Sequence, residues 1–234
     1  PKDIPSDMPD IVFQISSGLY GARDKSGKFD PDRYQKVMKF CQMTEIKIAQ
    51  GAKQTGGKLS GAKVTPAIAY YRNVEAYKDV FSPNRFPYAN TIEELFDFIG
   101  KLQELSQKPV GLKIVISDIE NIEPYAKEIK RRIDAKISAY PDYITVDAGS
   151  GGSATAPIEM MERVGLNVRD SVYLVNKVLI DYGIRDKVKL VASGKILTPD
   201  DIIIVKCLGA DFLQIARGFM MSAGCIRARY CSGT

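Results

Sequence analysis

The chain predicts an α/β fold of the parallel β/α-barrel type, and three observations carry that prediction. Six short apolar runs are separated by segments of helical period, each run ends in or is followed at once by glycine or a polar residue, and no internal repeat or low-complexity tract breaks the alternation. Strand and helix signals that alternate in this way give a parallel sheet with helical crossovers.

The strand runs are 11–16 (IVFQIS), 44–50 (TEIKIAQ), 110–116 (VGLKIVI), 143–148 (YITVDA), 188–193 (VKLVAS) and 212–216 (FLQIA). Six is two fewer than the (β/α)8 TIM-type barrel requires. Residues 1–234 are therefore expected to be a partial barrel domain of about six βα units. Its first two strands are expected upstream of residue 1, which is Pro rather than Met, and its C-terminal part beyond Thr234.

Helix signals fall between the strands. Asp30-Pro31 opens one helix, and Thr91-Ile-Glu-Glu94 has the pattern of a capping box. From there Ile92, Leu95, Phe98, Ile99, Leu102 and Leu105 form one apolar face. Another helix is expected from near Asp170 to Gly183. Thr198-Pro-Asp-Asp201 supplies a cap, a first-turn proline and two carboxylates to a helix that Gly209 ends. The stretch from Gln54 to about Ala89, with Tyr70, Tyr71, Arg72 and Ser82-Pro-Asn-Arg85, lacks periodicity, and a long connection after a strand is more often functional than idle.

Composition narrows the function. At 234 residues and 45 % hydrophobic the chain can bury a sizeable core. No apolar run reaches the roughly 18 residues that span a bilayer, so a cytoplasmic protein with no membrane partner is expected. The net charge of +5 is spread among acidic residues, which argues against a nucleic-acid partner. Histidine is absent, so proton transfer must fall to carboxylates, lysines, tyrosines or a cofactor. Of the four cysteines, Cys41 and Cys207 are expected in the core.

Two kinds of polar group interrupt the apolar pattern. Gly149-Ser-Gly-Gly-Ser-Ala-Thr-Ala-Pro157, Ala192-Ser-Gly-Lys195 and Ala216-Arg-Gly218 each follow a strand, and glycine-lined strand ends let backbone N–H groups converge on an anion such as phosphate. Lys113 lies within a strand. Alternation sends Leu112, Ile114 and Ile116 to the helices and Lys113 into the barrel. A buried ammonium needs an anionic or acceptor partner. The pyrimidine edge of a flavin would serve, and so would a carboxylate on a neighbouring strand. Lys47, in phase with Glu45, is the better case for such an internal pair. Cys225 and Cys231 could ligate a soft metal, but spacing alone leaves them short of the three or four sulfurs a cluster needs.

Together, EIKIAQGAKQTGGKLSGAKVTP (45–66), VGLKIVI (110–116), DAGSGGSATAPIE (147–159), ASGKI (192–196) and GADFLQIARGFMMSAGCIRARYC (209–231) resemble the FMN-binding synthase domain of the glutamate synthase family, in order and over nearly the whole chain. The resemblance implies an FMN-dependent oxidoreductase that forms glutamate from 2-oxoglutarate and ammonia, with electrons relayed through a 3Fe-4S cluster. It implies that Lys53 and Arg72 clamp the substrate carboxylates, with Gln50 beside substrate and flavin. Lys113 would then neutralise the reduced flavin, and Gly151, Gly152, Ser193, Gly194, Ala216, Arg217 and Gly218 would cradle its phosphate. Cys225 and Cys231 would be cluster ligands, the third lying outside this chain. An electron-donor protein or reductase subunit and an oligomeric assembly are implied partners. An FMN barrel acting on a different keto or amino acid, and a non-catalytic barrel scaffold, are the alternatives. Ser150 stands where the family tends to carry an acidic residue.

Overall fold

The computed structural model describes residues 9–49, 51, 57–151, 158–161 and 163–225. In chain order these form β1 (Val12–Ile15), α1 (Pro31–Met38), β2 (Met43–Lys47), β3 (Lys58–Leu59), α2 (Pro66–Arg72), β4 (Val80–Phe81), α3 (Ile92–Ser106), β5 (Val110–Ile114), α4 (Glu123–Asp134), β6 (Tyr143–Asp147), α5 (Val168–Asp181), β7 (Lys189–Ser193), α6 (Pro199–Cys207), β8 (Phe212–Gln214) and α7 (Arg217–Ser222). Six strands make one parallel sheet in the order β1-β2-β5-β6-β7-β8, and each lies within, or one residue outside, a strand run expected from sequence. The sheet is a curled half-barrel. Gln214 of the edge strand β8 donates a hydrogen bond across the interior to Glu45 of β2, four strands away in the sheet order. The aperiodic connection after β2 holds an element that periodicity could not reveal, a two-residue antiparallel pairing of β3 with β4.

Strand alternation divides the sheet into two chemically distinct faces. One carries Ile15, Ile46, Leu112, Ile114, Ile144, Val146, Leu190 and Ala192, all buried, and packs in the same core as Leu95, Ile99 and Leu102 of α3, Ile129 of α4, and Val172, Val175 and Leu179 of α5. The other carries Gln14, Glu45, Lys47, Lys113, Thr145, Asp147, Ser193 and Gln214 in adjoining register positions. A β/α barrel interior is ordinarily filled by branched aliphatic side chains. Here its upper half is polar.

Local chemistry sets the element ends. Asp30, Thr65, Thr91, Asn167 and Thr198 accept first-turn N–H bonds as N-caps. At Thr198 the capping box is reciprocal, but at Thr91 it is not. Glu94 Oε2 instead accepts from Asn90 N at 3.0 Å and from Asn90 Nδ2 at 2.8 Å, one residue earlier than the motif expects. α5 begins at Val168 rather than near Asp170 because the Asn167 side chain accepts from both Arg169 N and Asp170 N. One device repeats across the sheet: an aspartate just before a strand accepts an N–H from the first or second residue of the neighbouring strand. Asp142 takes Val110 N and Asp211 takes Leu190 N, each at 2.8 Å. Each bond aligns two strand starts that no hairpin joins.

Cys41 is buried as expected, but Cys207 is exposed, which corrects the core assignment. Val205 is the buried residue of α6. Ile203 and Cys207, four apart and on the same helix face, point to solvent.

Between α3 and α4 the packing includes charge. Arg132, only 3 % exposed, donates to Glu128 Oε1 at 2.6 Å, to the Glu93 and Ala139 carbonyls, and pairs with Asp97 on the surface. Hydrogen bonds from Arg131 and then Arg132 hold the Glu128 carboxyl down at about 2 against the opposing effect of burial. Glu128→Gln is expected to destabilise the fold by roughly 2 kcal/mol at neutral pH, because the buried Arg132 guanidinium keeps its two carbonyl acceptors but only one anionic partner, the exposed Asp97. The folded pKa lies below the ordinary glutamate value of about 4.3, so the advantage over the variant is complete above that value and is lost as the pH falls toward about 2. Urea denaturation of both proteins at pH 7 and pH 3 measures the difference.

Candidate functional site

A cavity of about 500 Å³ opens where the parallel strands end, lined by Gln14, Lys47, Lys113, Asp147, Ser193 and Gln214 from the strands and by Ser150, Gly151, Gly194, Lys195, Ile196, Ile215, Ala216 and Arg217 from the turns that follow them. Its floor is a continuous hydrogen-bond network. Lys113 Nζ donates to Gln214 Oε1 at 3.0 Å and to Ser193 Oγ at 3.1 Å, and it lies 3.4 Å from Asp147 Oδ1. Ser193 in turn donates to Asp147 Oδ1 at 2.8 Å. Below them, Glu45 accepts from Gln14, Thr145 and Gln214 at 2.6, 2.6 and 2.8 Å. At the base, burial and, secondarily, the charges of Glu45 and Asp142 push the Tyr143 phenol far above its ordinary range, so it stays neutral and donates to Thr44 O at 2.8 Å.

Two glycines shape the rim. Gly194 has φ +113°, and a Cβ there would come within 2.6 Å of Ala148 Cβ, so the turn after β7 can fold over the end of β6 only without a side chain. Gly51, following β2, donates its N–H to Asp147 Oδ2 at 3.0 Å, and a Cβ on it would fall 1.8 Å from Ala148 O. Gly51 and Ala148 are therefore in direct backbone contact beside Asp147, the carboxylate that pairs with Lys113.

Of the residues singled out from sequence, the structure gathers Lys113, Gly151, Ser193, Gly194, Ala216 and Arg217 around this cavity. Lys113 pairs with a carboxylate of the adjacent strand, and the same ammonium faces the cavity. Gly218 sits just behind the wall, against Ile215 and Ile196. Arg72 is not among the lining residues. It lies over the Tyr20 ring at 4.7 Å and borders a second cavity beside β1 and α1. Cys225 is half-buried beyond α7, and the described residues contain no group of three or more metal-ligating side chains. Gln50, Lys53, Gly152 and Cys231 lie outside the described residues. Sequence reasoning missed Gln14, Asp147 and Gln214, and named Lys195 only as the end of the Ala192-Ser-Gly-Lys195 turn. The signal was available for the three strand residues, since each is a polar residue in phase with the inward face of an apolar run.

The conserved region of glutamate synthase, as a family model, matches residues 3–233. The glutamate synthase large subunit-like protein YerD of Bacillus subtilis (strain 168) is 42 % identical over 224 residues, covering 95 % of this chain and 42 % of that protein. An archaeal-type glutamate synthase [NADPH] of Thermotoga sp. (strain RQ2) is 30 % identical over 234 residues, covering 99 % of this chain and 42 % of that protein. The chain thus spans less than half the length of these relatives. Among solved structures, the recombinant flavin-binding domain of baker's yeast flavocytochrome b2 aligns with a TM-score of 0.58 at 14 % identity, over 94 % of this chain and 46 % of that one, a likeness of fold alone. With the family model matched almost from end to end, the chain belongs to the glutamate synthase family.

Proposed function

We propose that this chain is the flavin-binding part of an FMN-dependent oxidoreductase that forms glutamate reductively from 2-oxoglutarate and ammonia. The observation that carries the reading is Lys113. It is a nearly buried ammonium on the floor of a strand-end cavity whose rim is glycine backbone and further cations. The donor set suits a planar, phosphorylated anion. Gly151, Gly194 and Ala216 offer unobstructed backbone, and Lys195 and Arg217 stand beside them. The volume falls within the roughly 300–1,000 Å³ of small-molecule and cofactor sites.

FMN, when bound, supplies the hydride chemistry. The chain's own residues bind and orient. Lys113 would hold negative charge at the pyrimidine edge, its 3.4 Å contact to Asp147 being the longest of its three and the one most readily exchanged for a ligand acceptor. Gly151, Gly152, Ser193, Gly194, Ala216, Arg217 and Gly218 would cradle the phosphate. Gln50, Lys53 and Arg72 would face the keto acid. For Arg72 this role requires the segment after β2 to bring it toward the cavity from its present place against Tyr20. Cys225 and Cys231 would supply two of the thiolates of a 3Fe-4S cluster, and a reductase subunit or electron-donor protein the electrons. Two further strands N-terminal to β1 would complete the barrel, consistent with the exposed Val12 on that edge.

The purified full-length protein is expected to show flavin absorption bands, and its reduced flavin to be reoxidised by 2-oxoglutarate plus ammonium. Reoxidation by another keto acid alone would move the substrate assignment, and a colourless protein that takes up no FMN would end the reading. Lys113→Met is expected to weaken FMN binding 10- to 100-fold, the value of about 1.5–3 kcal/mol for a hydrogen bond to a charged group. Gly194→Ala, which forces a side chain onto a positive-φ turn and against Ala148, is expected to cost at least tenfold in FMN affinity with little change in the far-ultraviolet circular dichroism. Fluorescence titration with FMN checks both.

A further inference from the structure

Glu45 does not line the cavity, is 2 % exposed, and has no cation within ion-pairing distance among the described residues. Three neutral donors satisfy it instead: Gln14 Nε2 from β1 at 2.6 Å, Thr145 Oγ1 from β6 at 2.6 Å and Gln214 Nε2 from β8 at 2.8 Å. An ionised carboxylate only accepts hydrogen bonds. Both glutamines must therefore turn their amide nitrogens toward Glu45 and their oxygens away from it. For Gln214 that oxygen meets Lys113 at 3.0 Å, and Gln14, lining the same cavity, has its oxygen as the remaining end of the amide.

We propose that Glu45 is a positioning residue. Its buried charge fixes the cavity floor as acceptors at Gln14 and Gln214 and a donor at Lys113, and disfavours added negative charge on a ring held above them. The inference rests on the FMN reading. Two electrons from a reductant such as dithionite, with one proton from solvent, leave bound FMN one charge more negative, and a nearby buried anion opposes that change. Replacing Glu45 by the isosteric amide removes the charge and frees both glutamines to reverse.

The test uses the full-length protein with FMN. Glu45→Gln is expected to raise the midpoint potential of bound flavin by about 30 mV, a tenfold gain in the preference for reduced over oxidised FMN for a two-electron couple. Glu45→Asp keeps the charge but withdraws it by one methylene. It is expected to weaken oxidised FMN binding about tenfold with a smaller change in potential, and it carries the test if Glu45→Gln does not fold. Lower melting temperatures in both variants with an unmoved potential would make Glu45 merely structural and overturn the proposal. A parent protein that binds FMN, with both variants matching it in potential and affinity, would overturn this inference alone. A parent that binds no FMN would sink the functional reading and this inference with it.

Discussion

An ammonium and two carboxylates inside a β/α barrel must find partners there, because an unpaired charge among apolar side chains costs more than a domain of this size can spare. Lys113, Glu45 and Asp147 meet that requirement together, through Ser193, Thr145, Gln14 and Gln214. The helix-facing side of the sheet is ordinary hydrophobic packing and could be reassorted among aliphatic residues with modest loss. The inward side has no such latitude. Gln14, Glu45, Lys113, Thr145, Asp147, Ser193 and Gln214 are each both a strand residue and a hydrogen-bond partner, so the sheet's curl and the composition of the cavity floor are set by the same contacts.

The two edge strands illustrate the point. β1 and β8 are not paired with each other among the described residues, yet Gln14 and Gln214 bond the two oxygens of one carboxylate. A half-barrel held only by its apolar layer could flatten. Held from within by a shared anion, it keeps a concave face, and a concave polar face at strand ends is what a ligand site requires.

Most of the scaffold was legible because strand and helix periods leave independent traces. The apolar runs, Asp30-Pro31 and Thr198-Pro-Asp-Asp201 each announced an element that is present. The errors were local. Glu94 chose Asn90 over Thr91, and Cys207 turned outward on α6, whose apolar residues are not gathered on one face, so composition could not say which side packs. At the site, Lys113 stood out as a charge in an apolar run, whereas Gln14 and Gln214 did not, being neutral and compatible with an edge. Their role depends on Glu45, which is 31 residues from one and 169 from the other, a relation that only the folded curvature creates.

The contact of Gly51 with the backbone of Ala148 reaches furthest. It ties the backbone just after β2 to the end of β6, where Gly51 also bonds Asp147, 96 residues away in the chain. Gly51 cannot take a side chain while Ala148 stays in place, nor can either position shift its backbone alone. An engineer who transplants the residue at Gly51 from a relative should move its neighbour at Ala148 with it.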